Sequence, residues 1–159
     1  MMSSLTGCLV RGAIAGAAGT TALNATTFLD MAARGRPASS TPQKVIERGA
    51  GLLGLSLPED QDKRQARESG LGSLLGAAAG VSAGMVLGAM CASGHPRRGA
   101  TTVATAWVLA MLTGNAPMTV LGVTDPRTWR AADWVADIVP HLSYAVVAAG
   151  TLKAFEAVR

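Results

Sequence analysis

Four stretches of the chain carry few or no charged residues and approach the length that crosses a lipid bilayer. No Asp, Glu, Lys or Arg occurs from 69 to 94 or from 99 to 124, and roughly 20 apolar residues are enough to cross the hydrocarbon. The uncharged runs 12–29 and 138–152 are shorter, and apolar neighbours extend them. The pattern predicts an all-α polytopic membrane protein, a single membrane domain over 1–159, with four transmembrane helices at 8–33, 70–94, 99–123 and 132–157.

The polar positions between these stretches predict the connections. Only the first connection, 34–69, is long, and Thr41 followed by Pro42 is typical of a helix start. Apolar residues such as Val45 and Ile46 then mark one side of a short amphipathic helix at the membrane surface. The charged segment after it is predicted to be a solvated, charged helical extension.

Two further connections are short. GHPRRG, 94–99, is predicted to be a tight turn between the second and third spans. In TDPRTWRAADW, 124–134, we expect Asp125 to act as the N-cap of the fourth helix.

Composition favours lipid over water as the surrounding medium. Hydrophobic residues make up 49% of the 159, but aromatic residues make up only 4%, and 19 residues are glycine. A water-soluble core of this length normally relies on bulky side chains, whereas in a bilayer small residues let helices approach closely. The net charge of +4 is modest, and the cations cluster in the connections. Membrane topology explains them better than a nucleic-acid partner does.

The distribution of cations also predicts an orientation. With four spans, five Lys and Arg residues fall on the side of the termini and nine on the side of the 34–69 connection. The positive-inside rule then places the long connection in the cytoplasm.

A row of glycines runs along the second predicted span. It recurs at every fourth position, and on a helix such a row turns a ridge into a shallow groove. In lipid, where close contact binds helices, the groove invites a neighbouring backbone. The first span offers a similar row, Gly12, Gly16, Thr20 and Asn24, so packing within one subunit and self-association through the groove both stay open. The candidate helix-packing residues are Gly72, Gly76, Gly80, Gly84, Gly88, Gly12 and Gly16.

Polar residues inside the spans form a second candidate site. Asp133, Asp137 and His141 share one face of the fourth helix, with Tyr144 one turn on. Ionisable groups at membrane depth point to function, and a carboxylate beside a histidine can relay a proton or bind a cation. An alternative is that the two acids lie among the headgroups and cap the helix.

The third span also contains a candidate irregularity, TGNAPM. It predicts a break near the middle of that helix, of the kind that exposes carbonyl groups in transporters. Without transport, the same residues form only a proline kink. The candidate intramembrane polar site therefore comprises Asn24, Asn115, Asp137 and His141.

No pattern in the sequence predicts catalysis. There is no phosphate-binding loop, GxSxG or HExxH, and no His/Cys cluster with metal-ligand spacing. Cys8 and Cys91 are interpreted as small buried residues. We therefore expect no enzyme activity, no cofactor and no metal.

The first predicted span carries a family resemblance. GAIAGAAGTTALN, followed by a proline-containing connection, resembles the first helix of YagU-type bacterial inner-membrane proteins. The resemblance covers about the first 40 residues, implies a multi-pass plasma-membrane location, and carries no site residues.

Two functions remain open from the sequence. The leading hypothesis is a small structural or accessory membrane protein whose partners are the lipid bilayer and either further copies of itself or another membrane protein. The alternative is a small channel or transporter that uses the polar residues of the spans.

Overall fold

The computed structural model describes residues 4–93 and 99–157, and this part of the chain is helical without strands. The predicted all-α fold is therefore confirmed. The turn predicted at 94–99 lies outside the described residues except for Gly99. The helices are α1 (Leu5–Arg34), α2 (Thr41–Leu52), α3 (Gln61–Ala92), α4 (Gly99–Val120) and α5 (Ala131–Ala157), with a short 3-10 helix at Pro126–Thr128.

Three helices in the described part of the chain are long and apolar enough to cross a membrane. They are Gln61–Met90, Gly99–Val120 and Ala131–Ala157, and they match the second, third and fourth predicted spans. This finding indicates a membrane protein. The first predicted span lies in α1, which is 30 residues long but does not belong to this apolar set. Its glycines, threonines and Asn24 lower its hydropathy.

The arrangement of large and small side chains is the reverse of that in a water-soluble protein. Among the described residues, seven of the twelve buried hydrophobic ones are alanines, while leucines and valines of α3, α4 and α5 point outward. In the apolar segment of α4 only 11% of the residues are buried. Large apolar surfaces of this kind are unfavourable in water and are favoured by lipid.

The helix α1 occupies the centre of the bundle. It packs along both α3 and α5, while α4 packs against α5 and α3, and α2 lies mainly on α3. One side of α1 is thus covered by these two neighbours, while Val10, Phe28 and Leu29 on its other side are exposed.

The predicted break in the third span is wrong. The helix α4 runs without interruption through Gly114, Asn115 and Pro117 and ends at Val120. Because Pro117 lies in the last turn, its missing amide removes a hydrogen bond only where the helix is about to end. The end itself is formed at Gly122, whose positive φ of 65° lets the amide of Val123 donate to the carbonyl of Met118 at 2.9 Å.

The charged segment of the long connection and the second predicted span form one continuous helix. The helix α3 has 32 residues, about 48 Å of rise, with Asp60 as its N-cap accepting from the amide of Lys63 at 3.0 Å. Its first two turns carry the charges. This helix is therefore longer than the hydrocarbon of a bilayer, which is about 30 Å thick.

Two predicted helix starts differ from the structure. The N-cap of α2 is Ser40, one residue before the predicted Thr41. Asp125 caps the short 3-10 helix, where it accepts from the amide of Arg127 at 3.0 Å. A separate turn at Arg130 then starts α5, because Asp133 accepts from the Arg130 amide at 3.0 Å.

Candidate functional site: the α1–α3 contact and the α4–α5 polar cluster

The helices α1 and α3 run antiparallel with a regular register. Gly12 lies against Gly84, and Gly16 lies against Gly80, so each step of four residues up α1 matches a step of four down α3. Cys8 and Gly88 continue the same register, as the carbonyl of Cys8 meets the position of a Cβ on Gly88. The contact therefore follows the four-residue ridges of both helices.

The two backbones touch at these glycines. A Cβ atom placed on Gly16 would lie 2.6 Å from the carbonyl oxygen of Gly80, and one on Gly84 would lie 2.5 Å from the Cα of Gly16. Both distances are shorter than any real carbon contact, so a side chain at either position forces the helices apart. Several Cα–H bonds aim at carbonyl oxygens across the contact, in reciprocal fashion between Gly12 and Gly84.

The glycines of the row have different neighbours. Gly80, Gly84 and Gly88 face α1, where Gly80 meets the side chain of Thr20. Gly72 instead faces Pro42 of α2, at 2.9 Å from its Cβ to a Cβ built on the glycine. Gly76 is exposed and has nothing within 4 Å of that position. The row thus serves two neighbours inside the chain, and only Gly76 is free of both.

Tyr144 of α5 packs against both α1 and α3 beside their contact. Its side chain is 1% exposed, and its hydroxyl donates to the carbonyl oxygen of Gly80 at 2.6 Å. The ring lies against Gly19, where a built Cβ would be 2.7 Å from Cδ2 of the tyrosine. Glycines on α1 and α3 therefore make the space that the ring fills.

Sequence reasoning placed Tyr144 after His141 but did not name it as a site residue. A signal was available, because Tyr144 is the only tyrosine in the chain and is followed by alanines at 145, 148 and 149. These alanines are buried in the same cluster or beside it.

The helices α4 and α5 bring together three of the four predicted polar residues. The amide nitrogen Nδ2 of Asn115 donates to Oδ2 of Asp137 at 2.8 Å. Nδ1 of His141 lies 2.7 Å from the main-chain oxygen of Asp137 and 3.4 Å from its Oδ1. Side-chain exposure is 18% for the aspartate and 12% for the histidine. These residues form the polar cluster, Asn115, Asp137 and His141.

The histidine has a defined hydrogen-bonding role. A carbonyl oxygen only accepts, so the short contact to the main chain of Asp137 assigns a proton to Nδ1 of His141. In the neutral ring, Nε2 is then an acceptor. This atom faces α4, where a Cβ on Gly114 would lie 3.0 Å away. Gly114 thus makes room for the imidazole.

Two other polar residues of the spans lie apart from this cluster. Asn24 is exposed on α1. Asp133 caps the start of α5 and lies 3.5 Å from Nε of Arg130. A separate polar link joins α1 and α5, where the hydroxyl oxygens of Thr26 and Ser143 lie 2.9 Å apart.

The cluster has the chemistry of a proton or monovalent-cation site. It offers one carboxylate, one amide and one imidazole nitrogen, contributed by two helices. Within the described residues no group of three or more His, Cys, Asp or Glu side chains is placed to hold a metal ion.

Comparison of the chain with protein-family models, with curated proteins and with solved structures gives no match. The resemblance of the first helix to YagU-type proteins therefore stays a prediction, and the functional argument depends on the geometry alone.

Proposed function

We propose that this chain is a four-span protein of a bacterial plasma membrane with a structural or accessory role, and that α1 is its fourth span. The register of α1 against α3 supports this topology. Gly12 and Gly16 face Gly84 and Gly80, which lie in the apolar part of α3. A helix locked alongside a spanning helix by backbone contact has to lie at the same depth.

The hydroxyl groups of α1 are compatible with that depth. Thr20, Thr21, Thr26 and Thr27 each donate to the carbonyl four residues earlier, at 2.8 to 3.0 Å. A hydroxyl bonded to its own helix leaves no unsatisfied donor in hydrocarbon. The modest hydropathy of α1 is thus offset by internal hydrogen bonds and by its central position.

The proposed role is supported by which helix surfaces pack inside the chain and which stay exposed. In the α1–α3 contact, Gly80, Gly84 and Gly88 already pack against α1 of the same chain. The outward surface of α4 remains, and it carries Val108 and Leu112, both exposed. We propose that the protein acts through this lipid-facing surface, by assembling with copies of itself or with another membrane protein.

Purified protein in liposomes tests this role. We expect no flux of protons, Na⁺ or K⁺ above empty liposomes, and a detergent-corrected mass that is a fixed multiple of the 16.1 kDa chain or that rises to a fixed value on addition of a partner. Ion flux that depends on Asp137 would contradict it.

The polar cluster favours a second candidate, a proton or cation pathway. Asp137 receives a hydrogen bond from Asn115 and lies beside His141, at the contact of two candidate spans. Ionisable groups in such positions mark pathways in many membrane proteins. In the same liposomes, this candidate predicts flux that Asp137→Asn abolishes and that Asp133→Asn, in the first turn of α5, leaves unchanged.

A further inference from the structure

A groove opens between α2 and the end of α4. It has a volume of about 730 Å³, and its lining comes from two separate parts of the chain. From α2 it is lined by Lys44, Glu47, Arg48, Gly51 and Leu52, and from the end of α4 by Leu121, Gly122 and Val123. We call this feature the α2–α4 groove.

The charge of the groove is positive. Lys44 and Arg48 lie one helical turn apart and are both exposed, and neither forms an ion pair within the described residues. The acidic residue of the lining, Glu47, is already engaged, because its Oε1 lies 2.5 Å from Nη2 of Arg64. Arg64 also binds Glu68 at 2.9 Å. Two cations that have no ion-pair partner among the described residues therefore line the groove.

The position of the groove is the end of the spans. Val123 follows the last turn of α4, and the next residue, Thr124, accepts from Nε1 of Trp129 at 2.8 Å. Trp129 packs edge-on against Trp134 with ring centroids 5.0 Å apart. Paired tryptophans are typical of the level where headgroups meet hydrocarbon.

Large apolar side chains line the groove or directly adjoin its lining residues in sequence, and they are uncovered. Leu52 is 70% exposed and Leu53 is 75% exposed at the end of α2, and Val120 of α4 is 85% exposed. In water these side chains would be unfavourable, but at this level they can contact acyl chains. The groove thus combines a cationic face with an apolar rim.

We propose that the α2–α4 groove binds the headgroup of an anionic phospholipid, with the phosphate between Lys44 and Arg48 and the acyl chains along Leu52 and Val120. The shared chemistry is a phosphate group, and the apolar rim favours a lipid as its source over free phosphate. Basic residues at this level each strengthen binding to anionic lipid. The inference goes beyond the proposed role and needs only α2 and α4 at one membrane surface.

The test counts lipids bound to the full chain in detergent by native mass spectrometry. The probes are dioleoylphosphatidylglycerol, dioleoylphosphatidylcholine and inorganic phosphate. We expect saturable binding of phosphatidylglycerol, at least about tenfold weaker in Lys44→Ala/Arg48→Ala. The chain offers a matched control, Lys63→Ala/Arg67→Ala, because this exposed Lys and Arg pair has the same four-residue spacing within the same connection.

Three results would overturn the proposal. They are equal binding of phosphatidylcholine, an equal loss in the control pair, and displacement of the lipid by millimolar phosphate, which would make free phosphate the ligand. A second variant keeps both cations: Val123→Glu places a carboxylate in the groove and is expected to weaken phosphatidylglycerol binding, and unchanged binding there would also contradict the site. The flux experiment does not depend on this groove, so the two proposals fail separately.

Discussion

The hydroxyl of Tyr144 donates a hydrogen bond of 2.6 Å to the carbonyl oxygen of Gly80, which joins α5 to α3 across 64 positions of sequence. The same ring fills a space that Gly19 leaves on α1. One side chain of α5 therefore contacts both α1 and α3.

Removing that hydroxyl and removing the ring should have different effects. Tyr144→Phe loses one hydrogen bond and should lower the free energy of unfolding by about 1 kcal/mol. Tyr144→Ala also leaves a cavity and should lower it by about 3 to 5 kcal/mol. Unfolding in mixed detergent micelles with rising dodecyl sulfate, followed by circular dichroism, measures both. Val146→Ala, at a position 54% exposed, is the control, and an equally large loss there would remove the special role of Tyr144.

A single methyl group should have opposite effects at two glycines of one row. At Gly84 a Cβ would collide with the backbone of α1, so Gly84→Ala should destabilise the bundle by about 1 to 3 kcal/mol. At Gly76 nothing lies within 4 Å, so Gly76→Ala should be neutral or stabilise by up to about 1 kcal/mol through helix propensity. The same unfolding assay compares them. Equal changes would show that the row does not hold α1 against α3.

The hydrogen bond between Asn115 and Asp137 should appear as an interaction energy. Asn115→Leu and Asp137→Leu each leave a partly buried polar group without its partner, whereas the double variant removes both. We expect the loss of unfolding free energy in the double variant to be smaller than the sum of the two single losses by about 0.5 to 3 kcal/mol. The control is Thr105, whose hydroxyl donates to the carbonyl of Thr101 in its own helix. The losses of unfolding free energy caused by Thr105→Val and Asp137→Leu should therefore add. Additive losses in both pairs would show that Asn115 and Asp137 do not interact.

The packing of α2 against α3 should depend on Gly72. A larger residue there meets Pro42, so Gly72→Val should displace α2 and let the backbone around Lys44 and Arg48 open more often, which trypsin requires for cleavage. In detergent we expect cleavage in α2 to accelerate by about tenfold, since local opening controls proteolysis. Gly70→Val adds the same side chain where nothing lies within 4 Å. It should leave the cleavage rate unchanged, and faster cleavage in that control would point to a general loss of helix stability.

The helical class and three of the spans could be predicted because charge-free runs of this length have one main interpretation. The first predicted span, 8–33, lies in α1, which is not among the helices apolar enough to cross a membrane. The proposed depth of α1 depends on its register against α3, a property of two helices together. The predicted break at Pro117 was wrong because a motif does not reveal where the helix ends. Gly122 ends it one turn later.

The candidate site was predictable in part. Asp137 and His141 are four residues apart on one helix, so local spacing placed them together. Asn115 comes from another helix, and its contact with Asp137 depends on how α4 and α5 pack. The same dependence explains why Asn24, in register with Gly12 and Gly16 along α1, is exposed. At that level Gly72 of α3 faces α2 instead.

The position of α1 is the central claim, and side-specific labelling tests it most directly. Single cysteines at Ser4, Ser39 and Ala157, with Cys8 and Cys91 replaced by alanine, are exposed in intact cells to a maleimide that cannot cross membranes. If α1 spans the bilayer beside α3, Ser4→Cys and Ala157→Cys react from one side and Ser39→Cys reacts from the other. Reaction of Ser4→Cys and Ser39→Cys from the same side would contradict the account.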